Sequence, residues 1–211
     1  MTLDISPHKI RNLWCIGRNY AAHAEELGNK VPDSPLVFLK AGSTVQASDS
    51  EIVFPDWATD IQHELELALQ WDDQLKISRA CLALDFTERS LQASLREKGQ
   101  PWTLAKSFSG ATAITPFFEF SSLKEFEGFE MSLLLDDELK QKANINEMIF
   151  GLQTMIDHIE KHFPICPGDL LLTGTPAGVG PIKSGQTLSV SCNRGVSGTW
   201  KISQPQMRPN E

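Results

Sequence analysis

The chain has 211 residues, 41% of them hydrophobic and 22% charged, enough for one sizeable core of ordinary globular composition. Its 27 acidic residues outnumber 19 lysines and arginines, and the formal charge of -8 repels nucleic-acid phosphate and anionic membranes alike. Neither partner is therefore expected, whereas a small anionic substrate stays open because a metal ion and a few local cations can reverse the potential inside one pocket.

Cys15, Cys81, Cys166 and Cys192 are scattered, with no CxxC pair and no histidine at zinc-finger spacing, so reduced thiols are expected rather than a disulfide scaffold or structural zinc. The first residues carry no basic segment followed by an apolar run, and no stretch of ~18 apolar residues occurs. A cytoplasmic protein is the expectation. No repeat, low-complexity tract or long linker interrupts the chain, which reads as a single domain over residues 1–211.

In chain order, residues 13–16 read as a strand entering the polar turn Gly17-Arg18-Asn19, and residues 20–27 as a short helix closed by Gly28. Residues 35–40 and 51–54 read as short strands. From Gln62 to Gln70 the side chains alternate, with His63, Leu65, Leu67 and Leu69 on one face and Gln62, Glu64, Glu66 and Ala68 on the other. Residues 79–85 form a second apolar run, and residues 87–98 have helical composition that ends at Gly99. Met148, Ile149, Leu152, Met155, Ile156 and Ile159 recur at helical spacing, which predicts one amphipathic helix over 146–162. A strand at 133–135 turns at Asp136-Asp137, and residues 169–202 alternate short strands with Gly-rich turns. Strands outnumber helices without alternating evenly with them, so the fold class is mixed α+β or mainly β rather than a doubly wound sheet.

Glu64 and Glu66 stand two apart on a strand, so their carboxylates leave the same face from Cα atoms roughly 6.5 to 7 Å apart. Like charges that close repel one another, and a divalent ion between them turns repulsion into attraction; a solvated strand edge is the alternative. Asp85, at the passage from strand to helix, fits a third ligand or a helix cap. All-carboxylate ligation favours hard cations, Mg²⁺ first, with Mn²⁺ or Ca²⁺ as alternatives. His23 and Glu26, three apart, suit an oriented general base or a surface pair. Lys106 is a charge stabiliser or a snorkelling side chain. The Gly-rich turn Thr173-Gly174-Thr175-Pro176 lacks any phosphate-loop pattern, so no organic cofactor is expected, and its N–H groups suit a carboxylate or a plain turn.

Taken in order, these segments resemble the fumarylacetoacetate hydrolase family, especially its short acylpyruvase-like members. The resemblance spans about residues 12–200 and rests on Gly17-Arg18-Asn19-Tyr20-Ala21 with His23 and Glu26, residues 35–40, His63-Glu64-Leu65-Glu66-Leu67, and Leu82-Ala83-Leu84-Asp85 with Arg89 and Gln92. It continues through Gly99-Gln100-Pro101-Trp102, Lys106-Ser107-Phe108, Pro167-Gly168-Asp169, Thr173-Gly174-Thr175-Pro176 and Gly178-Val179-Gly180. It implies a mixed β-roll, usually a homodimer, with Glu64, Glu66 and Asp85 as Mg²⁺ or Mn²⁺ ligands. His23 and Glu26 would form a water-activating pair on a lid, Lys106 the catalytic lysine, and Arg18, Gln92 and Thr175 would line the substrate site. Where many relatives have a second histidine this chain has Gln62, and where they often read Lys-Pro it has Lys40-Ala41.

The activity so implied is hydrolysis of the carbon–carbon bond of acylpyruvates to pyruvate and a carboxylic acid. The alternatives are decarboxylation or enol–keto tautomerisation of oxaloacetate on the same site, or a non-catalytic binding protein.

Overall fold

A computed structural model describes residues 10–22 and 32–203. Short apolar runs between Gly, Pro and Asp turns become the strands, in order β1 (Asn12–Gly17), β2 (Leu36–Ala41), β3 (Val45–Ala47), β4 (Ser50–Val53), β5 (Ile61–His63), β6 (Leu65–Trp71), β7 (Ile77–Asp85) and β8 (Thr87–Glu88). After helices α1 (Arg89–Glu97) and α2 (Thr103–Lys106) come β9 (Thr112–Ile114), β10 (Phe118–Glu119), β11 (Glu130–Leu135) and β12 (Glu138–Asn144). Helix α3 (Leu152–His162) precedes β13 (Leu170–Leu172), β14 (Gly180–Pro181), β15 (Thr187–Cys192) and β16 (Ser197–Ser203).

The main sheet runs β2-β1-β13-β6-β7-β9-β3, with β10 also on β7. It is mixed: β1 runs parallel to β13, and β6 runs antiparallel to β13 and β7. A second sheet, β12-β11-β15-β16-β4, packs its Leu133, Leu188, Val190 and Trp200 against Leu65, Leu67 and Leu69 of β6 in one core. Helix α3 adds Met155 and Ile159 to it. This is the mainly-β roll with a few short helices that the sequence predicts.

Three local expectations need correction. The strand predicted over 62–70 is broken at Glu64: β5 joins β14 and β8 in a small third sheet, while β6 belongs to the main one. The helix predicted from 87 begins at Arg89, because Thr87 and Glu88 pair with β5 and the Glu88 carboxylate caps the helix by accepting from the Leu91 N–H at 2.6 Å. Asp85 is therefore no helix cap.

The helix predicted from 146 begins at Leu152, since Met148 and Ile149 are tied to Asn19 and Tyr20. Met148 bridges to Tyr20, and the Ile149 N–H donates to the Asn19 carbonyl at 2.7 Å. The apolar stripe Leu152, Met155, Ile156 and Ile159 is buried as predicted. The turn at Asp136-Asp137, both at positive φ (50° and 65°), returns the chain as β12, a strand the sequence pattern did not announce.

Candidate functional site

Strand pairing places the acids. β6 and β7 are antiparallel with Leu65 opposite Leu84 and Glu66 opposite Ala83, and the Asp85 N–H donates to the Glu64 carbonyl at 2.8 Å, so Glu64 and Asp85 face one another one step beyond β6. The two-residue period puts Glu66 on the same face, where Ala83 leaves room beside it. Carboxylate oxygens of Glu64, Glu66 and Asp85 lie within 4.8 Å of one another. All three residues are buried, which removes the solvated-edge alternative.

Such a cluster is tolerable only with compensating charge. The Lys106 ammonium, at the end of α2, donates to Glu64 Oε2 and Asp85 Oδ2 at 2.7 Å each. Lys40 of β2 donates to the other Asp85 oxygen at 2.5 Å and to the Ala111 carbonyl at 2.5 Å. The Arg89 guanidinium pairs with Glu64 and, at 2.7 Å, donates to the Gln92 side-chain oxygen Oε1. Glu66 takes a hydrogen bond from the Gly174 N–H at 2.7 Å instead of a cation. Gly174 is required there: at φ +93° a Cβ would stand 2.8 Å from that of Asn19 and 3.0 Å from the Ile16 carbonyl oxygen.

The electrostatics follow. Burial pushes the Glu66 carboxyl well above its ordinary value, and Asp85 and Glu64 push it further, against the pull of Lys106 and the Gly174 N–H. For Lys106, burial alone would lower the ammonium's pKa, but Asp85 and Glu64 override it and hold the group above the usual lysine value. It is a fixed positive charge, neither a snorkelling side chain nor a base.

Seven of the nine predicted site residues lie together. A cavity of ≈ 40 Å³ is lined by the three acids and Lys106 together with Arg18, Gln92 and Thr175, and Arg18 is held at φ 60° in the turn after β1. A larger cleft of ≈ 700 Å³ near Trp71 and Arg79 contains none of them, so size alone does not locate the chemistry. His23 and Glu26 lie outside the described residues. Pattern reading missed Lys40, whose signal is a charge inside the apolar run Leu36–Ala41 but buried to 0% exposure, and gave Arg89 no role.

Three clustered carboxylate donors are the set a hard divalent ion takes, and the second charged shell they need is already in place. The profile "Fumarylacetoacetate (FAA) hydrolase C-terminal" matches residues 12–199. A mitochondrial oxaloacetate tautomerase of Arabidopsis thaliana is 38% identical over 89% of this chain and 87% of its own. A mitochondrial oxaloacetate decarboxylase of Dictyostelium discoideum is 38% identical over 84% and 87%. The crystal structure of fumarylpyruvate hydrolase from Pseudomonas aeruginosa in complex with Mn²⁺ and pyruvate superposes with a TM-score of 0.84 at 27% identity, covering 92% of this chain and 90% of that one.

A mixed β-roll carrying a buried acidic triad suited to a divalent ion has the form of an enzyme of this family's fold. The chain belongs to the fumarylacetoacetate hydrolase family. The cytoplasmic placement expected from the sequence is corrected, because the two relatives named above are mitochondrial proteins, in conflict with it.

Proposed function

We propose that this chain acts on oxaloacetate, interconverting its enol and keto forms with a divalent ion, Mg²⁺ or Mn²⁺, held by Glu64, Glu66 and Asp85. One observation carries the chemistry: three clustered acids faced by Lys40, Lys106 and Arg89 form a formally neutral set, which a divalent ion together with the cavity's Arg18 turns positive, as a dicarboxylate dianion requires. The names of the relatives that are 38% identical support oxaloacetate over the acylpyruvates first read from the sequence. The single catalytic domain and the homodimer implied by the family belong to the same proposal.

A bound divalent ion supplies Lewis acidity toward the carboxylate and 2-oxygen of an oxo acid. The remaining work falls to the chain. Arg18, Gln92 and Thr175 bind the substrate's oxygens and fix its orientation. The permanently charged Lys106 stabilises the negative oxygen that develops when a proton leaves carbon 3. His23, oriented by Glu26, moves that proton between carbon 3 and the 2-oxygen.

Decarboxylation is the second reading, supported by the Dictyostelium relative. The test supplies enol-oxaloacetate with Mg²⁺ or Mn²⁺ and follows enol absorbance and pyruvate formation in one sample. Loss of enol without pyruvate is the expected result, and pyruvate formed in step with it selects decarboxylation. Hydrolysis of acetylpyruvate with oxaloacetate untouched would overturn both. His23→Ala is expected to slow ketonisation by about 10²- to 10⁴-fold.

A further inference from the structure

Thr175 lines the cavity with one bonding direction of its hydroxyl already committed, and main-chain groups that can play only one role reveal which. The Leu65 N–H can only donate, and at 3.0 Å it meets Gln141 Oε1, so that atom is the amide oxygen. The Pro176 carbonyl can only accept, and at 3.1 Å it meets Gln141 Nε2. Both ends of the amide are thus fixed independently. His63 Nδ1, 3.0 Å from the same Oε1, must also donate. The second Nε2 hydrogen goes to Thr175 Oγ1 at 2.9 Å. The threonine oxygen therefore accepts from Gln141, and its own hydrogen is not used in that bond. Gln141 and Thr175 are 1% and 3% exposed, so bulk water does not compete for these bonds.

We infer that Gln141, on β12, is a positioning residue that makes Thr175 an obligate hydrogen-bond donor toward the substrate and thereby selects a carboxylate or carbonyl oxygen at that point. The inference deepens the proposed function and rests on its placing an oxo acid in this cavity. It joins two sheets to the site: Gln141 comes from the second sheet, Leu65 from the main one, and Thr175 from the loop after β13.

The test uses the full chain loaded with Mn²⁺ and titrated calorimetrically with oxalate, a dianion that offers only acceptors. Thr175→Val is expected to weaken oxalate about tenfold, the loss of one hydrogen bond to a charged group. Gln141→Glu keeps the shape but places an acceptor oxygen against Thr175, whose hydroxyl then turns back toward it. Oxalate is expected to weaken about tenfold while Mn²⁺ affinity holds, and Thr175→Val in that background is expected to add no further loss.

Gln141→Met, which carries neither group, leaves the hydroxyl free to turn and is expected to weaken oxalate by about twofold to threefold, less than Thr175→Val does. This arm decides the matter should Gln141→Glu not fold. Wild-type oxalate affinity in either Gln141 variant, an undiminished Thr175→Val loss in the Gln141→Glu background, or loss of Mn²⁺ binding along with oxalate would overturn the inference. Because binding rather than turnover is read, a chain that shows this oxalate pattern but leaves oxaloacetate unprocessed refutes the proposed reaction and upholds the role of Gln141.

Discussion

On one face of β6, Leu65, Leu67 and Leu69 meet the leucines and Trp200 of the second sheet; on the other, Glu66 and, one step before the strand, Glu64 meet Asp85, Lys106 and Arg89. Every residue of the strand is buried, yet by opposite means. Each leucine gains about 1.5 to 3 kcal/mol by leaving water. The acids gain nothing comparable, because the desolvation of a buried ion pair roughly cancels its attraction. Below Glu66 the acidic face closes over a small apolar cluster of Ala68, Cys81, Ala83 and Cys15, so the polar set is confined to one end. An arrangement that contributes so little to stability is explained by what it binds.

The two faces should therefore fail differently. Glu66→Ala is expected to lower metal-dependent turnover at least about a hundredfold while the melting temperature of the metal-free protein holds or rises. Leu67→Ala is expected to cost about 2 to 5 kcal/mol in denaturant unfolding and to leave turnover per folded molecule near wild type. Matching losses of turnover in the two variants would erase the distinction between the faces.

Lys106→Met sharpens it. Removing the ammonium that bridges Glu64 and Asp85 leaves uncompensated buried charge, an expected loss of about 3 to 5 kcal/mol in metal-free protein. Saturating Mn²⁺ is expected to recover much of that stability and none of the activity. Unfolding curves unchanged by the substitution would contradict the role of Lys106 as a permanent counter-charge.

Gly174→Ala is smaller in stability, about 1 to 3 kcal/mol for a strained left-handed backbone. Its specific signature is a metal affinity weakened about tenfold, read by isothermal titration, because the loop N–H that holds Glu66 is displaced.

The smallest effect is a pH dependence. Glu66 is raised above its ordinary 4.5 in the folded chain, so the stability it contributes is present below 4.5 and is lost as pH climbs through its folded value. Metal-free wild type is thus expected to lose melting temperature relative to Glu66→Gln as pH rises from 4.5, and bound metal, which favours the carboxylate, should suppress the difference. Parallel melting curves across that range would argue against a desolvated Glu66.

Much of the site was legible because strand alternation is a local property: Glu64 and Glu66 two apart, with Asp85 closing an apolar run, needed no knowledge of the fold. What escaped depends on pairing between distant segments. Lys40 sits in a run where a lysine reads as an outward-facing residue, and only the pairing of β2 with β1 turns it inward to Asp85. Gln141 lies in the polar stretch of β12, whose buried positions appear only once the hairpin with β11 is formed. The early start given to α3 came from Met148 and Ile149, which match helical spacing but are held by Asn19 and Tyr20, residues more than a hundred positions away. The break at Glu64 has the same cause, since β5 and β6 are separated by the different sheets they join.

The central claim is that the acidic face of β6 holds one divalent ion and that the ion prepares the cavity for a small dianion. Calorimetric titration of metal-free protein with Mn²⁺, followed by oxalate, tests it most directly. The account predicts one ion per chain, oxalate binding that requires the ion, and loss of both in Glu66→Ala. Oxalate bound equally well without metal, or Mn²⁺ bound by Glu66→Ala as by wild type, would contradict it.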